Sequence, residues 1–221
     1  MELDEVMAQL EALGSEQTRK TWRRHGVAEP MFGVLFGDLT KLQKRIKTNH
    51  TLAGQLWQSG NHDARLLACM VADAKTMSTD ELTAWAASLK DSSSGESLAG
   101  LASKTPMAAS LCQQWLAAEK TRRMGWTMVA HQAKQGKLPD DAVVLDYIAQ
   151  IEATIHQSEN WARRGMMYTL IAIGGYNASL RHATEAAVAR IGPVAFDPGP
   201  TACEFPDPLP YIAKIWARKK T

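Results

Sequence analysis

Apolar residues recur every three to four positions along most of this chain, and strict alternation is nearly absent, so the pattern predicts helices throughout. Leu3, Val6, Met7, Leu10 and Leu13 outline a first amphipathic helix stopped by Gly14, and Ser15 opens a second that carries Trp22 and stops at Gly26. Residues 27–36 form an irregular apolar loop with Pro30, Gly33 and an aromatic pair. Asp38 then opens a helix through Leu39, Leu42 and Ile46. Asn49 or Thr51 begins the next, through Leu52, Leu56 and Trp57 to Gly60, and Asn61 begins another that ends near Asp73. Ser78 stands three residues before Glu81 in a capping-box arrangement leading into Leu82, Trp85 and Leu89. The serine-rich run from Asp91 to Gly100 reads as a turn opening a helix. Long helices are predicted over 107–118, 121–135, 140–157, 159–176 and 179–191.

One order of residues returns along the chain: a polar cap, an acid or amide, an arginine, an apolar residue, a small residue. It occurs at 61–68, at 119–126 and at 158–172, where Trp161, Arg163 and Arg164 precede a long apolar stretch. A chain repeating such a unit stacks helix pairs, which predicts an all-α superhelix, an α-solenoid, curving to the right. Arg65, Arg123 and Arg164 should then stand near helix starts on one face. Beyond Gly192 the composition changes to Pro193, Pro198, Pro200, Pro206, Pro208 and Pro210, which predicts a non-helical extended tail. A last short helix, Tyr211 to Trp216, should dock through Tyr211, Ile215 and Trp216. The expected division is a repeat domain over 1–191 and a proline-rich tail over 192–221.

With 221 residues and 45% apolar content, the chain can bury a core as one domain or one continuous stack. It has no apolar run long enough to span a bilayer, and its acidic start lacks a signal-peptide core, so a cytoplasmic place near the bacterial nucleoid is expected, without membrane contact. Cys69, Cys112 and Cys203 are far apart and unpaired in spacing, and His50 and His62 have no metal-ligand spacing, so neither metal nor cofactor is expected. No phosphate loop, dinucleotide fingerprint or serine-nucleophile elbow is present. The net charge of +2 says little, but the cations cluster: Arg19, Lys20, Arg23 and Arg24; Lys41, Lys44, Arg45 and Lys47; Lys120, Arg122 and Arg123; Arg163 and Arg164. Charge runs are often only solvated faces, and Arg163 and Arg164 could equally pair with Glu159 or Glu119 and hold repeats together. Clusters at matching places in successive repeats point instead to a basic groove for a polyanion, with Lys44, Arg45, Arg65, Lys120, Arg122, Arg163 and Arg164 as its cations.

Phe32-Gly33-Val34, followed by Leu39 and Leu42 and then by the block Leu56-Trp57-Gln58-Ser59-Gly60-Asn61-His62-Asp63-Ala64-Arg65-Leu66-Leu67-Ala68, resembles the bacterial DNA alkylation repair enzymes over roughly residues 15–191. These are alkylpurine DNA glycosylases built from HEAT-like repeats. The resemblance implies a concave basic face holding duplex DNA with alkylated bases, and a carboxylate, an arginine and two aromatics at the lesion. The family's carboxylate motif is best matched from Asp91 to Ala99, which places Glu96 at the catalytic acid, Asp91 and Ser92 where the family has tryptophans, and Ser93 where it has another acid. Arg123 matches the family's arginine and Tyr168 its second aromatic. A purine alkylated on a ring nitrogen is a cationic leaving group, so a carboxylate beside an oxocarbenium-like sugar and aromatic faces around the base suffice in principle. The implied activity is hydrolysis of the N-glycosidic bond by a monomer. The alternatives are a DNA-structure-binding relative without catalysis and a helical protein-interaction scaffold.

Overall fold

Hydrogen-bonding side chains mark many of the helix starts. Ser15, Asn49, Asn61, Ser78, Glu159 and Asn177 each accept a backbone N–H of the first turn that follows, at 2.8 to 3.2 Å, satisfying a donor that the helix cannot. The computed structural model describes residues 1–89, 92–200 and 206–219. Among them lie thirteen α-helices and no strand. They are α1 (Leu3–Leu13), α2 (Glu16–Arg24), α3 (Phe36–Ile46), α4 (His50–Gln58), α5 (His62–Val71), α6 (Thr79–Ala87), α7 (Ser92–Ala102), α8 (Ala108–Ala117), α9 (Arg122–Lys134), α10 (Asp141–Thr154), α11 (Asn160–Gly174), α12 (Ala178–Ile191) and α13 (Pro208–Lys219). The chain forms two units, one holding Met1–Leu111 and the other Cys112–Pro198 together with α13.

In the first unit, α5 is the central helix. It buries Leu66, Leu67, Ala68 and Val71 among its neighbours α3, α4 and α7. Its first turn is also buried and carries charge: Asp63 is wholly enclosed, and its carboxylate accepts the backbone N–H groups of Phe32, Gly33 and Val34 at 2.6, 3.0 and 2.8 Å. The apolar 27–35 loop thereby finds partners for donors that it cannot satisfy itself. Gly33 is required there, because its φ is +81° and a Cβ would lie 2.6 Å from the Ser15 carbonyl oxygen. Trp57 and Trp85 stack with ring centroids 4.2 Å apart and join α4 to α6.

The serine run, read as a turn opening a helix, already belongs to the helix. α7 begins at Ser92, and Ser93 and Ser94 sit inside it facing buried His62, with Oγ–ring nitrogen distances of 3.4 and 3.2 Å. Small hydroxyls let this helix approach α5 closely while giving the imidazole polar partners. Helix α3 likewise begins at Phe36 rather than Asp38, since the Asp38 N–H already bonds the Leu35 carbonyl.

In the second unit α9 and α11 pack most intimately. Thr169 Oγ1 donates to the Trp126 carbonyl at 2.7 Å across the pair, and Gly165 lets the backbones close on each other beside Arg123. Helices α10 and α12 are tied by Arg190, whose guanidinium grips Glu152 through two hydrogen bonds of 2.6 and 2.8 Å. The last helix is longer than the sequence pattern predicts. It starts at Pro208, because a first-turn residue has no helical partner for its N–H and so tolerates proline. It docks through Ile212, which is fully buried, and through partly buried Ile215 and Trp216; Tyr211, expected in that contact, is exposed. Trp216 Nε1 donates to the Gly174 carbonyl at 2.8 Å, and the Lys219 ammonium bonds the Gly175 and Tyr176 carbonyls. A tryptophan N–H and a lysine thus cap the carbonyl end of α11, where positive charge is favoured.

Candidate nucleic-acid interface

Three cations of the second unit come together where α9 begins. Lys120, Arg122 and Arg123 line a cleft of about 760 Å³, edged by Thr154, Gln157 and Ser158. Local packing sets their positions. Gly125 lets α9 press on the backbone of Leu116, where a Cβ would come within 2.8 Å of its nitrogen, and Arg122 Nε donates to the Leu116 carbonyl at 3.1 Å. Lys120 is exposed and Arg123 is half-buried. The first-turn N–H groups of α9 add the positive end of a helix dipole to these charges. Glu119 and Glu159 also line the cleft, so the cations are held beside carboxylates that an incoming phosphate would displace or avoid.

Further along α11, the Arg164 guanidinium lies over two aromatic rings, 5.8 Å from the centroid of Trp161 and 5.1 Å from that of Tyr168. Tyr168 is 38% exposed and so keeps a face toward solvent. Arg163 serves a different purpose. Its guanidinium donates to the carbonyls of His156 and Ala195 at 2.9 and 3.0 Å, and beside it Asn160 exchanges two hydrogen bonds with the backbone of Asp197. Trp161 meets Phe196 edge-on at 5.7 Å. The arginine-bearing turn of α11 therefore clamps residues 195–197 of the proline-rich segment.

In the first unit Arg65 is half-buried, lies over Trp57 at 5.2 Å and points at the carbonyls of Trp57 and Ser88, each 3.4 Å away. It closes the α5–α4 corner. Lys44 is exposed on α3, and Arg45 donates to Gln9 at 2.9 Å beside a pocket of about 310 Å³ whose floor includes Leu13 and Leu42. Glu96 is exposed in the second turn of α7. Asp91, the other carboxylate of that register, lies outside the described residues. No group of three or more potential metal-ligating side chains occurs among the described residues, and no helix there is long and apolar enough to cross a membrane.

One polar centre escaped sequence reasoning. Glu29 accepts from Arg19 at 3.0 Å, from Arg23 at 2.8 Å and from the Met31 N–H at 2.9 Å, and the two guanidiniums hold its carboxyl down at about 2. Arg23 also bonds Glu16 at 2.8 Å and lowers that carboxyl too. The signal was the coincidence of a loop acid with arginines four apart, which carries meaning only once the chain has turned back on itself.

An all-α protein of HEAT-like repeats is the class that this helix order defines. Residues 6–190 match the DNA alkylation repair enzyme family, and the chain belongs to it. A solved structure described as a new family of proteins related to the HEAT-like repeat DNA glycosylases, with affinity for branched DNA structures, superposes with a TM-score of 0.90 and 25% identity, covering 99% of this chain and 95% of that one. Two curated relatives match at 28% identity. The uncharacterized protein Lin0241 of Listeria innocua aligns over 219 residues and 96% of each chain, and the uncharacterized protein Lmo0209 of Listeria monocytogenes over 225 residues and 98% of each.

Proposed function

We propose that this chain is a DNA-binding member of its family that grips the phosphate backbone of duplex DNA, with a preference for branched over linear DNA and no requirement for base excision. The observation that carries this reading is the cleft at the start of α9, which Lys120, Arg122 and Arg123 line together. The solved relative with affinity for branched DNA, alike over almost the whole of both chains, supports the choice of DNA structure as the preferred target.

The segment around Glu96 supports the same reading. Small serines stand where the resemblance expects an aromatic and an acid, and Ser93 and Ser94 are turned to buried His62. A glycosylase reading retains one observation in its favour, the exposure of the Glu96 carboxylate on α7.

The test is titration of a labelled four-way junction and a linear duplex of equal length at several salt concentrations. Wild type should bind the junction more tightly, with affinity falling steeply as salt rises. Lys120→Glu with Arg122→Glu should weaken binding to both and flatten the dependence of log K on log salt by about two units, at ~0.9 per lost phosphate contact. Unchanged affinity in the double variant would remove the cleft from the interface, and failure of wild type to bind either DNA would remove the function.

A further inference from the structure

The helix with the densest positive charge in the chain is not in the cleft. Helix α2, EQTRKTWRR, has no buried residue, and its contacts divide it lengthwise. Arg19, Trp22 and Arg23 form the attached side: the arginines bond Glu29, and the Trp22 ring meets His62 edge-on with centroids 4.9 Å apart. Gln17, Lys20, Thr21 and Arg24 fall within about 100° of arc on the other side, at 3.6 residues per turn. All four are exposed, none is acidic, and neither Lys20 nor Arg24 makes a hydrogen bond or salt bridge with any described residue. Glu16, the acid of the first turn, is tied to Arg23.

This division is not what a merely solvated helix needs. The carboxylates beside α2 bond two of its arginines, which fixes the helix; Lys20 feels the charge of Glu16 without bonding it, and Lys20 and Arg24 stand one turn apart on the open face. An exposed lysine and arginine with a glutamine beside them are side chains that contact phosphate oxygens without reading bases, while the Thr21 hydroxyl between them donates to the Gln17 carbonyl at 3.2 Å.

We infer that this face of α2 is a second phosphate-binding surface, which takes a duplex arm of a branched DNA. The inference rests on the DNA-binding reading above and adds to it a site in the other unit of the chain. Two phosphate-binding surfaces on one chain offer a branched DNA more contacts than either supplies alone. A linear duplex that engages one surface gains less. The partner is identified by charge: the exposed side chains of this face are two cations and two neutral polar groups, which suits a regularly spaced polyanion.

The experiment compares wild type, Lys20→Glu/Arg24→Glu, the charge-conserving Lys20→Arg/Arg24→Lys, and the control Lys134→Glu/Lys137→Glu, which makes the same charge change at exposed lysines elsewhere. Each is titrated with the four-way junction and the linear duplex, with circular dichroism to confirm equal helicity. The α2 charge reversal should weaken junction binding roughly tenfold or more at low salt, shrink the junction-over-linear ratio and flatten the junction's salt slope by about two units. The charge-conserving variant should behave as wild type, and the control should lose clearly less. Equal losses in the α2 reversal and the control, or an α2 reversal that binds the junction like wild type, would overturn this inference while leaving DNA binding standing. Absence of DNA binding by wild type would instead overturn the reading on which it rests.

Discussion

Asp63 illustrates how much a single buried carboxylate can organise. A charge at full burial is tolerated because three backbone N–H groups surround it, and in return the 32–34 loop is held to α5 across thirty residues of chain. Asp63→Asn keeps the size but replaces one acceptor oxygen by a donor that faces N–H groups. It should lower the unfolding free energy by about 3 kcal/mol, read as a reduced urea midpoint. Glu29 makes a different and testable contribution. Its folded value of about 2 lies below the ordinary 4.5, so the stability from its arginine contacts is complete above about pH 4.5 and is lost as pH falls toward 2. Because the pair is exposed and screened, the effect is small, and Glu29→Gln should flatten the acid limb of a melting-temperature profile while changing little at pH 7. Both roles were illegible in the sequence for one reason: each acid's partners are backbone or arginine groups brought near only by folding. Asp63 stood in the block that carries the family resemblance, yet nothing in that block says that its partner is the Phe32-Gly33-Val34 loop.

At the scale of elements, helix positions were largely legible because apolar periodicity and caps agree. Asn61 and Ser78 cap where the pattern places them, whereas α11 is capped by Glu159, one residue later than the pattern's Ser158. The departures occur where tertiary contacts outweigh composition. Serines continue α7 because His62 gives them partners, and α13 begins on a proline because a first turn needs no N–H there. Docking of α13 depends on two glycines that the pattern could not single out. A Cβ on Gly174 would stand 2.5 Å from Ile212 Cδ1 and 3.0 Å from its Cγ1, and one on Gly175 would stand 3.0 Å from Ile215 Cδ1. Gly174→Val should therefore displace α13, exposing Ile212 and breaking the Trp216 and Lys219 caps on the end of α11. The expected result is rapid proteolytic loss of the C-terminal segment from an otherwise folded protein, with Trp216→Ala giving a weaker form of the same behaviour. Resistance equal to wild type in Gly174→Val would show that α13 does not depend on this close approach.

At the scale of the whole molecule, the distribution of cations was visible in the sequence, whereas the use made of each was not. Arg65 and Arg163 are engaged with backbone carbonyls, Arg164 lies over Trp161 and Tyr168, and Lys120, Arg122 and Arg123 share a cleft. The decisive chemical question is whether Glu96 acts on a bound base. Hydrolysis of an alkylated purine needs negative charge close to the sugar as the glycosidic bond breaks, and Glu96→Gln removes that charge at nearly constant size. If the carboxylate were catalytic, the substitution should cut release of 3-methyladenine and 7-methylguanine from methylated DNA by about 10²-fold or more, with DNA affinity unchanged. On the DNA-structure-binding reading, wild type and Glu96→Gln release neither base above the uncatalysed rate, and both hold the four-way junction equally. The measurement is single-turnover base release with enzyme in excess, analysed beside a junction-binding titration of the same preparations, so that inactivity cannot be confused with misfolding. Release by wild type that Glu96→Gln abolishes would restore the glycosylase assignment; release that survives the substitution would move the carboxylate's role to another residue, Asp91 being the first to replace.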